Sequence, residues 1–203
     1  MRQPILAPRP ASRWKRPGNC VGIFVEHESG LRGALELPDR RILSWSNDAT
    51  LRVWTPEGMP EGEPWRGHES WIVGARIMNG DRVLSWSRDG TLRTWTIVGE
   101  PVGSPWRAYD RELGVGDFLF QGDEIRALPL SDCLILTWSR LDPARLWTAE
   151  GLRLWDGWTG SEGHVEGALE LADGNLLLWE FSGWISIRDR RSGSILHTMR
   201  AHQ

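Results

Sequence analysis

The chain has 203 residues and a mass of 23.1 kDa, enough to bury a sizeable core as one large domain or two small ones. With 40% hydrophobic and 25% charged residues and a mean hydropathy of -0.39, it is neither disordered nor membrane-spanning in composition. Apolar runs such as Cys133 to Leu136 are far too short to cross a bilayer, and no apolar segment of signal-peptide type follows the basic start. The net charge of -3 gives no global reason to bind nucleic acid. Two cysteines, Cys20 and Cys133, supply neither a disulfide framework nor a metal-ligand spacing. The expectation is a reducing, cytoplasmic setting with no cofactor or metal.

Residues 1–26 carry Arg2, Arg9, Arg13, Lys15 and Arg16 against Glu26, a local +4 that leaves -7 on the remainder. This is a solvated basic tail or, more sharply, a docking arm for an acidic partner. From His27 onward the 14 Trp organise the chain. Trp45, Trp54 and Trp65 recur 41 residues later as Trp86, Trp95 and Trp106. "HESGLRGALELPDRRILSWSNDATLRVWT" from His27 aligns without a gap on "HESWIVGARIMNGDRVLSWSRDGTLRTWT" from His68. A third copy holds Trp138, Trp147 and Trp158 at the same internal spacing, displaced by 11 extra residues. A fourth reuses "GALEL" at Gly167 to Leu171 and places Trp179 41 residues after Trp138. The units run 27–67, 68–108, 109–160 and 161–203.

Within a unit, segments such as "DRVLSWS" and "GTLRTWT" alternate with period two, bounded by "NGD" at 79–81 and "RDG" at 88–90, where Gly supplies the positive φ of a tight turn. The second unit is predicted to hold strands at about 71–77, 81–87, 91–96 and 103–107. The fold class is therefore all-β. Four-stranded antiparallel units that cannot bury both faces alone stack as β-propeller blades. Residues 12–19, "SRWKRPGN", resemble "RVWTPEG" at 52–58, and Phe24 precedes His27 as Trp65 precedes His68. Residues 12–26 thus read as the last two strands of a preceding blade, a partial fifth. The ring is expected to be incomplete, closing with further blades or a second copy of the chain; a closed four-bladed monomer is the alternative.

The segment "GHESWIVGARIMNGDRVLSWSRDGTLRTWT" at 67–96 resembles a WD-repeat (WD40) blade, and the likeness extends over about 27–201. That resemblance implies a buried relay of His, strand hydroxyl, turn Asp and Trp. Carried over, it assigns His68, Ser85 or Ser87, Asp89 and Trp95 in the second unit. In the first it assigns His27, Ser44 or Ser46, Asp48 and Trp54. In the third, Tyr109 replaces the His and Leu141 the Asp, leaving Trp147 with Thr137 or Ser139. In the fourth, Ser161, Ser182 and Arg188 fill the His, Asp and Trp positions, and His164 lies three residues out of frame.

No catalytic motif with the required spacing occurs, so no catalytic residue is assigned and the chain is not expected to be an enzyme. The candidate working surface is the insertion "YDRELGVGDFLFQGDE", net charge -4, in which Tyr109, Phe118 and Phe120 stand beside Asp110, Asp117 and Asp123. Aromatics among charges suit a protein interface. Equally, Phe118 and Phe120 fit as filler beneath the ring; a Ca²⁺ loop is a poorer match, lacking EF-hand spacing. WD-repeat proteins are scaffolds and recognition platforms, and Trp-rich bacterial arrays of this type resemble regulatory modules; 23 Arg against one Lys is a high-GC bacterial composition. The alternative is a carbohydrate-binding, lectin-like propeller stacking sugars on Trp65 or Trp106. Trp in mid-strand (Trp45, Trp86, Trp138, Trp179) and on the relay are expected to be buried between blades, leaving Trp14, Trp71, Trp155 and Trp184 outside the pattern.

Overall fold

The protein is described from a computed structural model, which covers residues 26–108, 125–139, 142–155 and 164–201. These residues form sixteen strands in four antiparallel sheets, each of four strands in sequence order. Sheet 1 contains β1 (Leu31–Glu36), β2 (Ile42–Ser46), β3 (Leu51–Trp54) and β4 (Pro60–Trp65). Sheet 2 contains β5 (Ile72–Met78), β6 (Arg82–Ser87), β7 (Thr91–Thr96) and β8 (Pro101–Arg107). Sheet 3 contains β9 (Arg126–Pro129), β10 (Ile135–Trp138), β11 (Arg145–Trp147) and β12 (Arg153–Trp155). Sheet 4 contains β13 (Val165–Glu170), β14 (Leu176–Glu180), β15 (Trp184–Arg188) and β16 (Ile195–Arg200). The all-β expectation and the four-strand unit are observed.

The turns explain the connections. Gly90 and Gly183, at equivalent positions between the second and third strands, have φ of 80° and 82°. Ala49 takes the same position in sheet 1 with φ 64°, an arrangement that tolerates a Cβ only with strain.

Alternation gives each sheet two apolar faces, and three cores lie between successive sheets. Leu43, Leu51, Val53 and Trp65 of sheet 1 pack against Ile72, Val83 and Trp95 of sheet 2. Leu84, Trp86 and Leu92 of sheet 2 meet Ala127, Ile135 and Trp147 of sheet 3. Leu136, Trp138 and Leu146 of sheet 3 meet Leu176 and Leu178 of sheet 4. Indoles bridge the seams: the Trp65 and Trp95 rings lie 5.8 Å apart, and those of Trp106 and Trp147 4.9 Å. Polar contacts add to them, with Arg41 donating to the Ile97 carbonyl across the first seam and Ser131 to Glu170 across the third.

Three of the four mid-strand indoles face a glycine, while the fourth, Trp138, pairs with Arg126. Trp45, Trp86 and Trp179 pair across the ladder with Gly33, Gly74 and Gly167, beside a register shift in the first strand. The six-membered half of each indole lies over its glycine, where a Cβ would sit inside the ring. Trp86 and Trp138 are buried as expected, but Trp45 is half-buried and Trp179 is 38% exposed. The exposure of Trp179 follows from its position on the face of sheet 4 turned away from sheet 3, which no sheet covers among the described residues.

Candidate functional site

The recurring constellation of ionisable and hydroxyl groups lies in sheets 1 and 2, where the second strand, the turn after it and the third strand converge on the loop before the first strand. In sheet 2, the Trp95 indole N–H donates to Ser85 Oγ at 2.9 Å. Ser85 Oγ lies 2.8 Å from His68 Nε2, and His68 Nδ1 lies 3.1 Å from Asp89 Oδ2. Sheet 1 repeats the chain with Trp54 donating to Ser44 at 2.7 Å, Ser44 2.8 Å from His27 Nε2, and His27 Nδ1 2.8 Å from Asp48. Donors and acceptors match when the imidazole carries its proton on Nδ1, facing the carboxylate, and Nε2 accepts from the serine hydroxyl.

The carboxylate is the hub. Asp89 accepts the backbone N–H of Glu69 at 2.8 Å and both the N–H and hydroxyl of Thr91 at 2.7 and 2.6 Å. Asp48 does the same with Glu28 and Thr50. The entry loop, the turn and the third strand are thereby tied to one side chain. Ser46 and Ser87 stand outside the relay proper: each accepts the backbone N–H of the turn Asp and donates to the carbonyl of Ser29 or Ser70. Thr50 and Thr91 were not singled out from the sequence, although the shared Asp-x-Thr spacing at 48–50 and 89–91 marks them.

Among the described residues of sheet 3 the indole end is present, with Trp147 donating to Thr137 Oγ1 at 2.8 Å. Ser139 instead donates to Asp142, one residue beyond the turn position assigned to Leu141. Tyr109 and Leu141 lie outside the described residues. In sheet 4 Leu178 occupies the hydroxyl position and Arg188 the indole position, so neither end of the relay exists. Arg188 is 5% exposed and donates to Ser186 and to the Gly193 carbonyl. Its burial lowers the guanidinium's affinity for a proton, opposed by the charge of Glu180. Ser182 donates to Glu180, Ser161 lies outside the described residues, and His164 is exposed.

Burial on its own would raise the two aspartates. Hydrogen bonds from Thr50, His27 and the Glu28 N–H outweigh it and hold Asp48 at about 2; those from His68, Thr91 and the Glu69 N–H hold Asp89 well below the usual carboxylate range. A carboxyl depressed by folding contributes stability that is present in full above its unfolded value of 3.8 and is lost as pH falls through its folded value. The melting temperature is therefore expected to fall steadily between about pH 4 and pH 2, and Asp48→Asn with Asp89→Asn to flatten that slope. A wild-type slope retained in the double variant would show that other carboxylates set it.

Among the described residues no group of three or more His, Cys, Asp or Glu is placed to hold a metal ion, and no helix is long and apolar enough to cross a membrane. Trp65, a sugar platform in the carbohydrate-binding alternative, is 5% exposed and packed at a tilt against Trp95; Trp106 is half-buried against Trp147. The partner-binding candidates Tyr109, Asp110, Asp117, Phe118, Phe120 and Asp123 lie outside the described residues, as do Trp14 and Trp158.

No family model matches the chain, and no curated protein matches it. Among solved structures the chain is similar to the crystal structure of the computationally designed Ika8 protein, with a TM-score of 0.66 and 20% identity over 90% of this chain and 53% of that one. At that identity the likeness is one of fold. The chain spans about half the length of the structure it matches.

Proposed function

We propose that the four sheets are blades of a WD40-like β-propeller that acts as a non-catalytic scaffold, presenting its rims to a protein partner within a larger cytoplasmic assembly. One observation carries this reading: the recurring His, Asp and Ser groups are spent on one another. His68 is 7% exposed, and the atoms that would hold or move a substrate proton are bonded to Ser85, Thr91 and Asp89. A site built for chemistry keeps a proton-carrying atom of at least one such group free for its substrate, whereas both ring nitrogens of His27, which borders an open groove, and of His68 are bonded within the relay. A relay that locks loop to turn instead makes a rigid platform whose specificity resides in its connecting loops. The burial of Trp65 and the packing of Trp106 against Trp147 favour this over the carbohydrate-binding alternative, whose platforms they would be.

The insertion between sheets 2 and 3, with Phe118 and Phe120 among its acids, is the rim assigned to the partner. Deleting 112–121 is expected to leave the far-ultraviolet β signal and the melting temperature within about 2 °C of wild type, a difference worth less than 1 kcal/mol in a domain of this size, while abolishing co-purification of the cellular partner. Undiminished co-purification by a folded deletion variant would exclude this rim as the binding surface.

A further inference from the structure

Sheet 4 turns an apolar face away from sheet 3, and the repeat identifies what kind of surface it is. Positions 134 residues apart correspond, so Leu37, Leu43, Trp45, Leu51, Val53 and Trp65 of sheet 1 become Leu171, Leu177, Trp179, Ile185, Ile187 and Met199. All six remain apolar. On sheet 1 this set is covered by sheet 2, with Leu43 and Leu51 at 0% exposure and Trp65 at 5%. On sheet 4 Trp179 is 38% and Met199 47% exposed, and the other four are half-buried rather than buried. A contiguous face of this kind in water marks a contact surface.

The complementary surface stands at the other end of the same chain. Sheet 2 covers sheet 1 with Ile72, Ala75 and Val83, which are 0, 4 and 0% exposed. Their counterparts on sheet 1 are Leu31, Ala34 and Ile42, of which Leu31 is 61% exposed. These three, with His27, Ser44 and Trp54, line an open groove of about 210 Å³. One chain therefore carries both halves of its own sheet-to-sheet contact, in repeat register, at opposite ends.

We propose that the occupant is a second copy: sheet 4 of each chain stacks on sheet 1 of the other, and the two contacts close a ring of eight sheets. This rests on the blade reading above and names the partner of one surface within it. A contact between two different patches forms closed rings only where the rotation closes, and eight lies within the blade numbers that propellers adopt. The longer solved structure shows the same fold with about as many residues again beyond the matched part. The competing occupant is the chain's own segment 12–26, whose sequence echoes blade strands.

Light scattering on the full chain at micromolar concentration is expected to give twice the 23.1 kDa chain mass. Ile185→Asp on sheet 4 and Ile42→Asp on sheet 1 are each expected to weaken the dimer at least about tenfold, the loss seen when the centre of an interface is broken. Mixing the two variants restores association, because a mixed pair keeps one contact with both faces intact. That recovery is specific to a head-to-tail contact and does not follow from misfolding. A folded 23.1 kDa monomer overturns the proposal, as do a dimer indifferent to both substitutions and a ladder of larger species. A monomer in which hydrogen exchange at Ile185 quickens on removal of residues 1–25 assigns the face to the chain's own segment. The blade reading is tested separately by the relay substitutions below, whichever mass is found.

Discussion

Trp95→Ala is expected to destabilise the protein by about 3–5 kcal/mol, the range for truncating a fully buried large aromatic. Trp95 is 1% exposed, and its indole fills the seam between sheets 1 and 2 against Trp65. Its removal opens a cavity that two hydrogen-bonded ladders cannot collapse into, and it deprives Ser85 of a donor. In a domain of this size the loss corresponds to a fall in melting temperature of roughly 6–20 °C. Ser85→Ala should cost less, about 1–3 kcal/mol, by leaving the Trp95 N–H and His68 Nε2 buried without their shared partner. Because both substitutions strike one network, the double variant should fall short of their sum. A melting temperature unchanged in Trp95→Ala would refute the relay as a structural element and the blade reading built on it.

Gly99→Ala is the second large effect, at about 2–5 kcal/mol from backbone strain and overpacking together. Gly99 has φ of 93°, and a Cβ there would lie within the five-membered ring of Trp65. The indole has little room to retreat, since it is 5% exposed and packed against Trp95. Gly80→Ala is the internal comparison. It has nearly the same φ, 80°, with nothing within 4 Å of an added Cβ, so it should show the strain alone, about 1–2 kcal/mol. Urea melts of the two variants measure the difference; equal losses would mean that Trp65 moves freely and the seam is not close-packed.

The spacing of the tryptophans places every sheet because a mid-strand indole recurs in the second strand of all four, although strand length varies from 3 residues in β11 to 7 in β5. Strands 2 and 3 of the second unit were anticipated within a residue, at Arg82–Ser87 and Thr91–Thr96. The fourth strand begins earlier than its pattern indicates, at Pro101 rather than 103, since "PVGSPW" has no alternation. It is an edge strand, exposed over most of its length, and its register comes from hydrogen bonds to β7 rather than from burial. The choice between Ser85 and Ser87 was illegible for a geometric reason. Residues two apart in a strand share a face, and only distance from the turn separates the hydroxyl that meets Trp95 from the one that caps Asp89. The exposure of Trp179 was equally hidden, because burial of a repeated position depends on the neighbouring unit and not on the unit's own residues.

The two kinds of tryptophan and glycine contact differ in what they demand of the chain's growth. The pairing of Gly74 with Trp86 is internal to one unit, so a unit copied whole brings both members with it. The contacts of Trp65 with Gly99 and of Trp106 with Gly151 cross a seam, yet they join the same two positions each time. Copying or deleting the second unit whole therefore leaves both contacts available at the new junction, with Trp65 or Trp106 meeting Gly99 or Gly151. The units that lost the relay have also lost one member of a contact, Trp138 facing Arg126 in sheet 3 and Met199 standing at the Trp65 position in sheet 4, so polar and packing marks drift together while the four-strand ladder is kept.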